Sequence, residues 1–245
     1  MRKTIVITDL TQMPTGNRVC VVGIDESNQC IRPVYPDGLG VPKSYLSSGT
    51  KLIIRPKAKV SFDFYPVKIE PPHIEDQGFD SASIVGKGLC NDDEWENVLR
   101  NSSYTKVDDI YDGLLQDHSW VMPGANTRSI ATLSEATIIN IQLSESSIKP
   151  RLTFTDGVGC QFSRPVSDLT FWDLCYKEVK SNIRTRLEVS RELLNLLQGA
   201  DRLYLRLGLA RPWLQPGLSE ERCYLQVTGV YTFPDYLGGK SFADF

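Results

Sequence analysis

Apolar residues recur at every second position over much of this chain, the period of strands with one packed and one wet face. Residues 4–10 and 18–35 predict three strands, followed by a Gly- and Pro-rich loop from Asp37 to Gly49. Lys51 to Val60 predicts a fourth strand, with Leu52, Ile54, Ala58 and Val60 packed and Lys51, Arg55, Lys57 and Lys59 wet. Pro56 has no N–H to give to a ladder, which places that strand at an edge or bulge. Phe62 to Ile69 predicts another, stopped by Pro71-Pro72, so a five-strand unit is complete by about residue 70. Further on, Leu203, Leu205, Leu207 and Leu209 alternate with Arg202, Tyr204, Arg206 and Gly208. A last strand runs from Cys223 to Phe233.

Between these strands the period changes to that of helices. Asn91 caps an acidic first turn, and Trp95, Val98 and Leu99 follow at helical spacing. A short helix is expected over Val107 to Leu115, and the whole stretch 73–130 reads as a helical connector packed on the strands. Ser167-Asp168 opens a helical region that runs to about Leu197 and stops at Gly199, as one helix or two.

One block occurs twice. Arg18 to Val34 reads strand, turn, strand, ending Arg32-Pro33-Val34, and Arg151 to Val166 reads the same way, ending Arg164-Pro165-Val166. Each copy has an Asp at the turn, Asp25 or Asp156, and a Cys after it, Cys30 or Cys160. Upstream, Thr4-Ile-Val-Ile matches Thr137-Ile-Ile-Asn, and the offset from that Thr to the Arg is 28 positions in one copy and 27 in the other. A nearly constant offset over three strands indicates an internal duplication. We therefore expect a β-dominated α+β protein of two fused, duplicated antiparallel barrels. The expected divisions are a first unit at 1–72, a connector at 73–130, and a second unit at 131–245 with a helical insertion at 167–199.

Composition narrows function mainly by exclusion. The 245 residues carry a net charge of −3, which argues against a bulk polyanion binder but leaves room for a local basic stripe. No apolar run reaches membrane-spanning length, and Asp9 interrupts the N-terminal apolar run too early for a signal peptide. Six scattered cysteines without a Cys-x-x-Cys pair suggest reduced thiols in cytoplasm. No cofactor and no metal site is expected.

Three sets of residues are candidate sites. The basic faces Lys51, Arg55, Lys57, Lys59 and Arg202, Tyr204, Arg206 offer cations and an aromatic ring, as single-stranded nucleic acid requires, or they are ordinary solvated strand faces. Arg32, Arg164 and Arg211, each followed by Pro, suit a phosphate or carboxylate, or else pin the barrel ends to local acids. His73, Glu75 and Asp76 would serve a metal-assisted hydrolase or a nucleotide-processing enzyme, or form a turn fixed by side-chain hydrogen bonds. A three-histidine zinc centre is excluded, since His118 is the only other histidine.

Four blocks, Cys30-Ile-Arg-Pro-Val34, Pro71-Pro-His-Ile-Glu-Asp76, Leu207-Gly-Leu-Ala-Arg-Pro212 and Val227-Thr-Gly-Val-Tyr-Thr-Phe-Pro-Asp-Tyr236, resemble those of a bacterial family of dual OB-domain proteins. The resemblance spans nearly the whole chain. It implies two OB-like barrels and a role around nucleic acid, and it implies no catalytic reaction. The expectation is a module that binds single-stranded DNA or RNA beside a partner enzyme. A protein–protein adaptor using the acidic helix at 92–99 and the tail from Tyr231 to Phe245 is a further alternative.

Overall fold

The β-branched run at the N-terminus forms β1 (Arg2–Gln12) in a computed structural model that describes residues 1–13, 16–35, 38, 40–144, 149–181 and 183–245. A bulge between Ile7 and Asp9 lets this one strand serve two neighbours. It pairs antiparallel with β2 (Arg18–Asp25) on one side and with β4 (Ala58–Tyr65) on the other. The hairpin partner β3 (Cys30–Val34) lies parallel to β5 (Asp76–Phe79), and β5 pairs antiparallel with β4. The ring β1-β2-β3-β5-β4-β1 is thus a closed, mixed five-strand barrel. Its interior is filled by Ile5, Ile7, Val19, Val21, Ile31, Val60, Phe62 and Phe64.

The second unit repeats much of this order with an open seam. Its first strand is split into β6 (Ile130–Leu133) and β7 (Thr137–Gln142). Then come β8 (Arg151–Thr155), β9 (Gln161–Pro165), β10 (Arg202–Leu209) and β11 (Cys223–Phe233). β6, β10 and β11 belong to a curled five-stranded half-barrel, completed by the short strands Ser103–Tyr104 and Trp120–Val121. β7, β8 and β9 form a separate sheet, which touches β11 through the parallel bridge Val166–Val227. The helical region is two helices, α2 (Leu169–Lys180) and α3 (Arg186–Gln198), placed between β9 and β10. Asn182 between them, and Asp37 at the start of the first unit's loop, lie outside the described residues.

The two hairpin turns match atom for atom. Asp25 Oδ1 accepts the N–H of Ser27 and Gln29, and Asp156 Oδ1 accepts those of Val158 and Cys160. The fourth residue of each turn is left-handed, Asn28 at φ 58° and Gly159 at φ 86°. Asn and Gly are residue types that adopt this conformation cheaply. Arg32 and Arg164 accordingly lie on equivalent strands, β3 and β9.

Four expectations need correction. Lys51 to Val60 is not one strand: Lys51–Leu52 pairs with Ser47–Ser48, and β4 starts only at Ala58. Pro56 and a left-handed Lys57 at φ 72° break the ladder between them. The first unit does not end at 72, because its fifth ring strand is Asp76–Phe79. The stretch 73–130 contributes that strand, the strand Val85–Leu89 against β4, and only one substantial helix, α1 (Asp92–Asn101). Finally, the tail is not open at its start, since Tyr231 and Phe233 are buried with Trp95, Leu99 and Tyr204 in the core between the units. Among the described residues, no helix is long and apolar enough to cross a membrane.

Candidate functional site

The outer face of β1-β2-β3 is covered by the second unit. Arg206 on β10 reaches into this seam, and its Nε donates to Asp9 Oδ2 at 2.8 Å with neither side chain exposed. Its Nη1 donates to Thr132 Oγ1 at 2.9 Å and its Nη2 to Cys30 Sγ at 3.2 Å. Thr8 and Thr228 donate to the same Asp9 carboxylate, and Tyr231 donates to the Thr8 carbonyl. Burial works against the Arg206 charge, but Asp9 and Cys30 outweigh it and its pKa is raised. Glu75 joins the units a second time, accepting from the N–H and Oγ of Ser129. A polar cleft of about 420 Å3 remains over the β2–β3 hairpin, bordered by Cys30, Glu75, Tyr104, Arg128 and Arg206.

The residues of the two basic faces lie in different surroundings. Arg206 is sealed in the seam. Tyr204 is buried under α1, its hydroxyl directed to Glu96, and Arg202 pairs with the same Glu96. Lys57 is held by Asp235 and Asp92, Lys59 by Glu94, and the Arg55 guanidinium by the Gly239 carbonyl. Lys51 sits apart on its two-residue strand. Alternation separates the lysine side of 51–60 from its packed side, but on β10 both sides are buried, Tyr204 under α1 and Arg206 against the first barrel.

The Arg-Pro arginines divide. Arg164 closes the end of β9 against the chain before the short strand Trp120–Val121, donating to the His118 carbonyl at 2.6 Å and to Ser119 Oγ at 3.0 Å. Arg32 and Arg211 meet at one carboxylate: Arg32 Nε lies 2.5 Å from Asp76 Oδ1, and Arg211 Nη2 lies 2.7 Å from Asp76 Oδ2. His73 stands beside them, 1% exposed, with its pKa lowered to about 2 by burial and then by Arg32 and Arg211. Its ring is therefore neutral. Neither ring nitrogen makes a hydrogen bond of good geometry, although the Ala210 backbone lies close enough to oppose the downward shift. The turn at 70–74 is held by backbone bonds, His73 N–H to the Glu70 carbonyl and Ile74 N–H to the Pro72 carbonyl, and not by the side chains expected. Among the described residues no cluster of three His, Cys, Asp or Glu side chains is arranged to hold a metal. The two guanidiniums on Asp76 further oppose a cation there.

The loop 210–222 between β10 and β11 carries the most exposed large aromatic side chain. Trp213 is 52% exposed and Leu214 beside it 50%. Mutual backbone bonds between Trp213 and Arg222 pin the loop into a hairpin. The Trp213 ring meets Tyr224 edge-on with centroids 5.9 Å apart, and the Arg222 guanidinium lies 4.0 Å from the centroid of Trp120. Arg211, 40% exposed at its side chain, leaves from the same loop. Trp213 and Arg222 lie outside the sets of residues that the sequence pattern singles out. Their signal was an aromatic residue after Pro212 in a segment ended by Pro216-Gly217, a loop where an exposed Trp has no core to fill. Compared with known proteins, the chain matches no family model and no curated protein.

Proposed function

We propose that this chain is a single-stranded nucleic-acid-binding module of two OB-like barrels that arose by duplication, without chemistry of its own, and that it holds the strand on the loop 210–222. The ring order β1-β2-β3-β5-β4, with β3 and β5 parallel, supports the OB-like reading of the first barrel. The identical Asp turns support the duplication. OB barrels hold oligonucleotides on the face of strands 2 and 3 and on the loops between strands 1 and 2 and strands 4 and 5. In the first unit that face is covered except for the cleft over the β2–β3 hairpin. In the second, the loop between the strands equivalent to 4 and 5 is the loop 210–222. The observation that carries the reading is the half-exposed Trp213, set against Tyr224 with Arg211 and Arg222 in the same loop. Base stacking on such a ring is indifferent to sequence; Arg211, half-exposed beside its partner Asp76, supplies a backbone contact, while Arg222 is turned onto Trp120 and Glu220 and braces the loop.

The test is fluorescence anisotropy with labelled single-stranded DNA and RNA of roughly 16 nucleotides. Trp213→Ala should weaken binding roughly 5- to 150-fold, the equivalent of about 1–3 kcal/mol for one lost stack. Lys57→Ala and Lys59→Ala, whose charges are already paired, should leave it unchanged. A wild type that binds neither strand at low salt ends the reading. A second reading is favoured by Glu220 and Glu221 in the same loop, which oppose a polyanion. Trp, Tyr and Arg dominate protein interfaces as well, so the loop would then dock a basic protein partner, with the chain as adaptor.

A further inference from the structure

The cleft over the β2–β3 hairpin has a buried floor and an unbonded rim. At about 420 Å3 it falls within the roughly 300–1,000 Å3 of small-molecule sites, and like many of them it lies where two units meet. Glu75 and Arg206 line its buried part. Ser129 takes two of about four acceptor positions on Glu75, whose charge also acts on Arg32. Arg128 lies over the Tyr104 ring, 5.0 Å from its centroid, and both border the cleft, so one wall is flat. Around the mouth stand four carboxamides: Asn28 and Gln29 from the hairpin turn, Gln77 on β5 and Asn101 at the end of α1. None of these four side chains makes a hydrogen bond among the described residues. A carboxamide presents two donors and an acceptor in one plane, and Asn and Gln pair bidentately with adenine N6 and N7. Unstacked bases rest on aromatic and guanidinium planes. The lining spares no cation for the phosphates that flank a base in a strand. Arg206 is taken by Asp9, and Arg128 by the Asp109 and Ile110 carbonyls, with Asp112 at 3.7 Å.

We propose that this cleft binds the adenine base of a free nucleoside between the two units. The ring stacks on the wall of Arg128 and Tyr104, and the carboxamides of Gln77 and Asn101 hold its polar edge. Glu75 accepts an N6 proton with an acceptor position that Ser129 leaves open. The neutral ligand suits a cleft whose charges are already balanced. The site shares no residue with the loop 210–222 and does not depend on the strand-binding reading.

The test is a titration of the folded wild type with adenosine, read by calorimetry and by the side-chain amide 15N signals of Gln77 and Asn101. Both signals should shift saturably, and ribose at the same concentrations should move neither. Gln77→Leu and Asn101→Ala, which remove carboxamides with no bond to lose, should each weaken adenosine roughly 2- to 13-fold, the range for one neutral hydrogen bond. A saturating single-stranded oligonucleotide should leave the adenosine affinity unchanged. Signals unmoved at the solubility limit of adenosine overturn the proposal, as does full affinity in both variants. An equal response to ribose overturns it in favour of a sugar site, and displacement of adenosine by the oligonucleotide overturns it in favour of a base within a strand. A wild type that binds adenosine but no oligonucleotide keeps this site and removes the strand-binding reading; one that binds the oligonucleotide but no adenosine does the reverse.

Discussion

Replacing Arg206 with methionine removes the positive end of the ion pair at the centre of the seam. The pair lies at 2.8 Å with both side chains fully buried, so Asp9 would keep its charge without a counter-ion. Two threonine hydroxyls would still reach Asp9, but Thr132 and Cys30 would each lose a donor. Breaking one side of a buried pair costs about 3–5 kcal/mol, against the roughly 5–15 kcal/mol that holds a typical domain together. An exposed pair such as Arg2–Asp63, half-open at both side chains, contributes about 1 kcal/mol at most. Urea unfolding near neutral pH should therefore show Arg206→Met destabilised by about 3–5 kcal/mol and Arg2→Met by less than about 1 kcal/mol. The Arg206→Met deficit should shrink toward about pH 5, because an orphaned buried carboxylate takes up a proton. Removing both charges, with Arg206→Met and Asp9→Leu together, should recover most of the loss. If Arg206→Met stays within about 1 kcal/mol of wild type, the seam is not sealed in the way described.

Two further outcomes follow from named groups. The His73 pKa is about 2 in the folded chain against an ordinary 6.5, so between those values the unfolded chain binds more protons and stability falls as pH falls. From about pH 7.5 to about pH 5.5 that loss is about 1.4 kcal/mol, read as the difference in pH slope between wild type and His73→Phe in phosphate-free buffer; equal slopes would refute it. Asp25→Ala and Asp156→Ala each remove the acceptor of two turn N–H groups, and each should cost about 1–3 kcal/mol by thermal or urea unfolding. Unequal costs, with one near zero, would deny the equivalence of the turns.

What was legible in the sequence was local. The hairpins at 18–34 and 151–166, their Asp turns, the Asn91 cap and the stop at Gly199 rest on contacts a few residues apart, which spacing records. What was not legible depends on distant partners. Arg206 alternates with Leu205 and Leu207 just as a wet residue would, and only Asp9, 197 positions away, makes it a core residue. The hint was that Asp9 and Arg206 are each a single charge inside an apolar run. Likewise the lysines at 57 and 59 looked free because their acids lie on α1 and at Asp235. Arg32 and Arg211 were paired by type in the sequence, but that they share Asp76 is a property of the packed units.

Under the proposed function, single-stranded nucleic acid contacts the loop 210–222 and leaves the first barrel's β2–β3 face untouched. Amide hydrogen exchange, measured with and without a saturating single-stranded oligonucleotide, tests it directly. Added protection is expected at residues 210–224, with no change along β2 and β3 at 18–34. Protection confined to 51–65 or to that hairpin, or none anywhere, would contradict it.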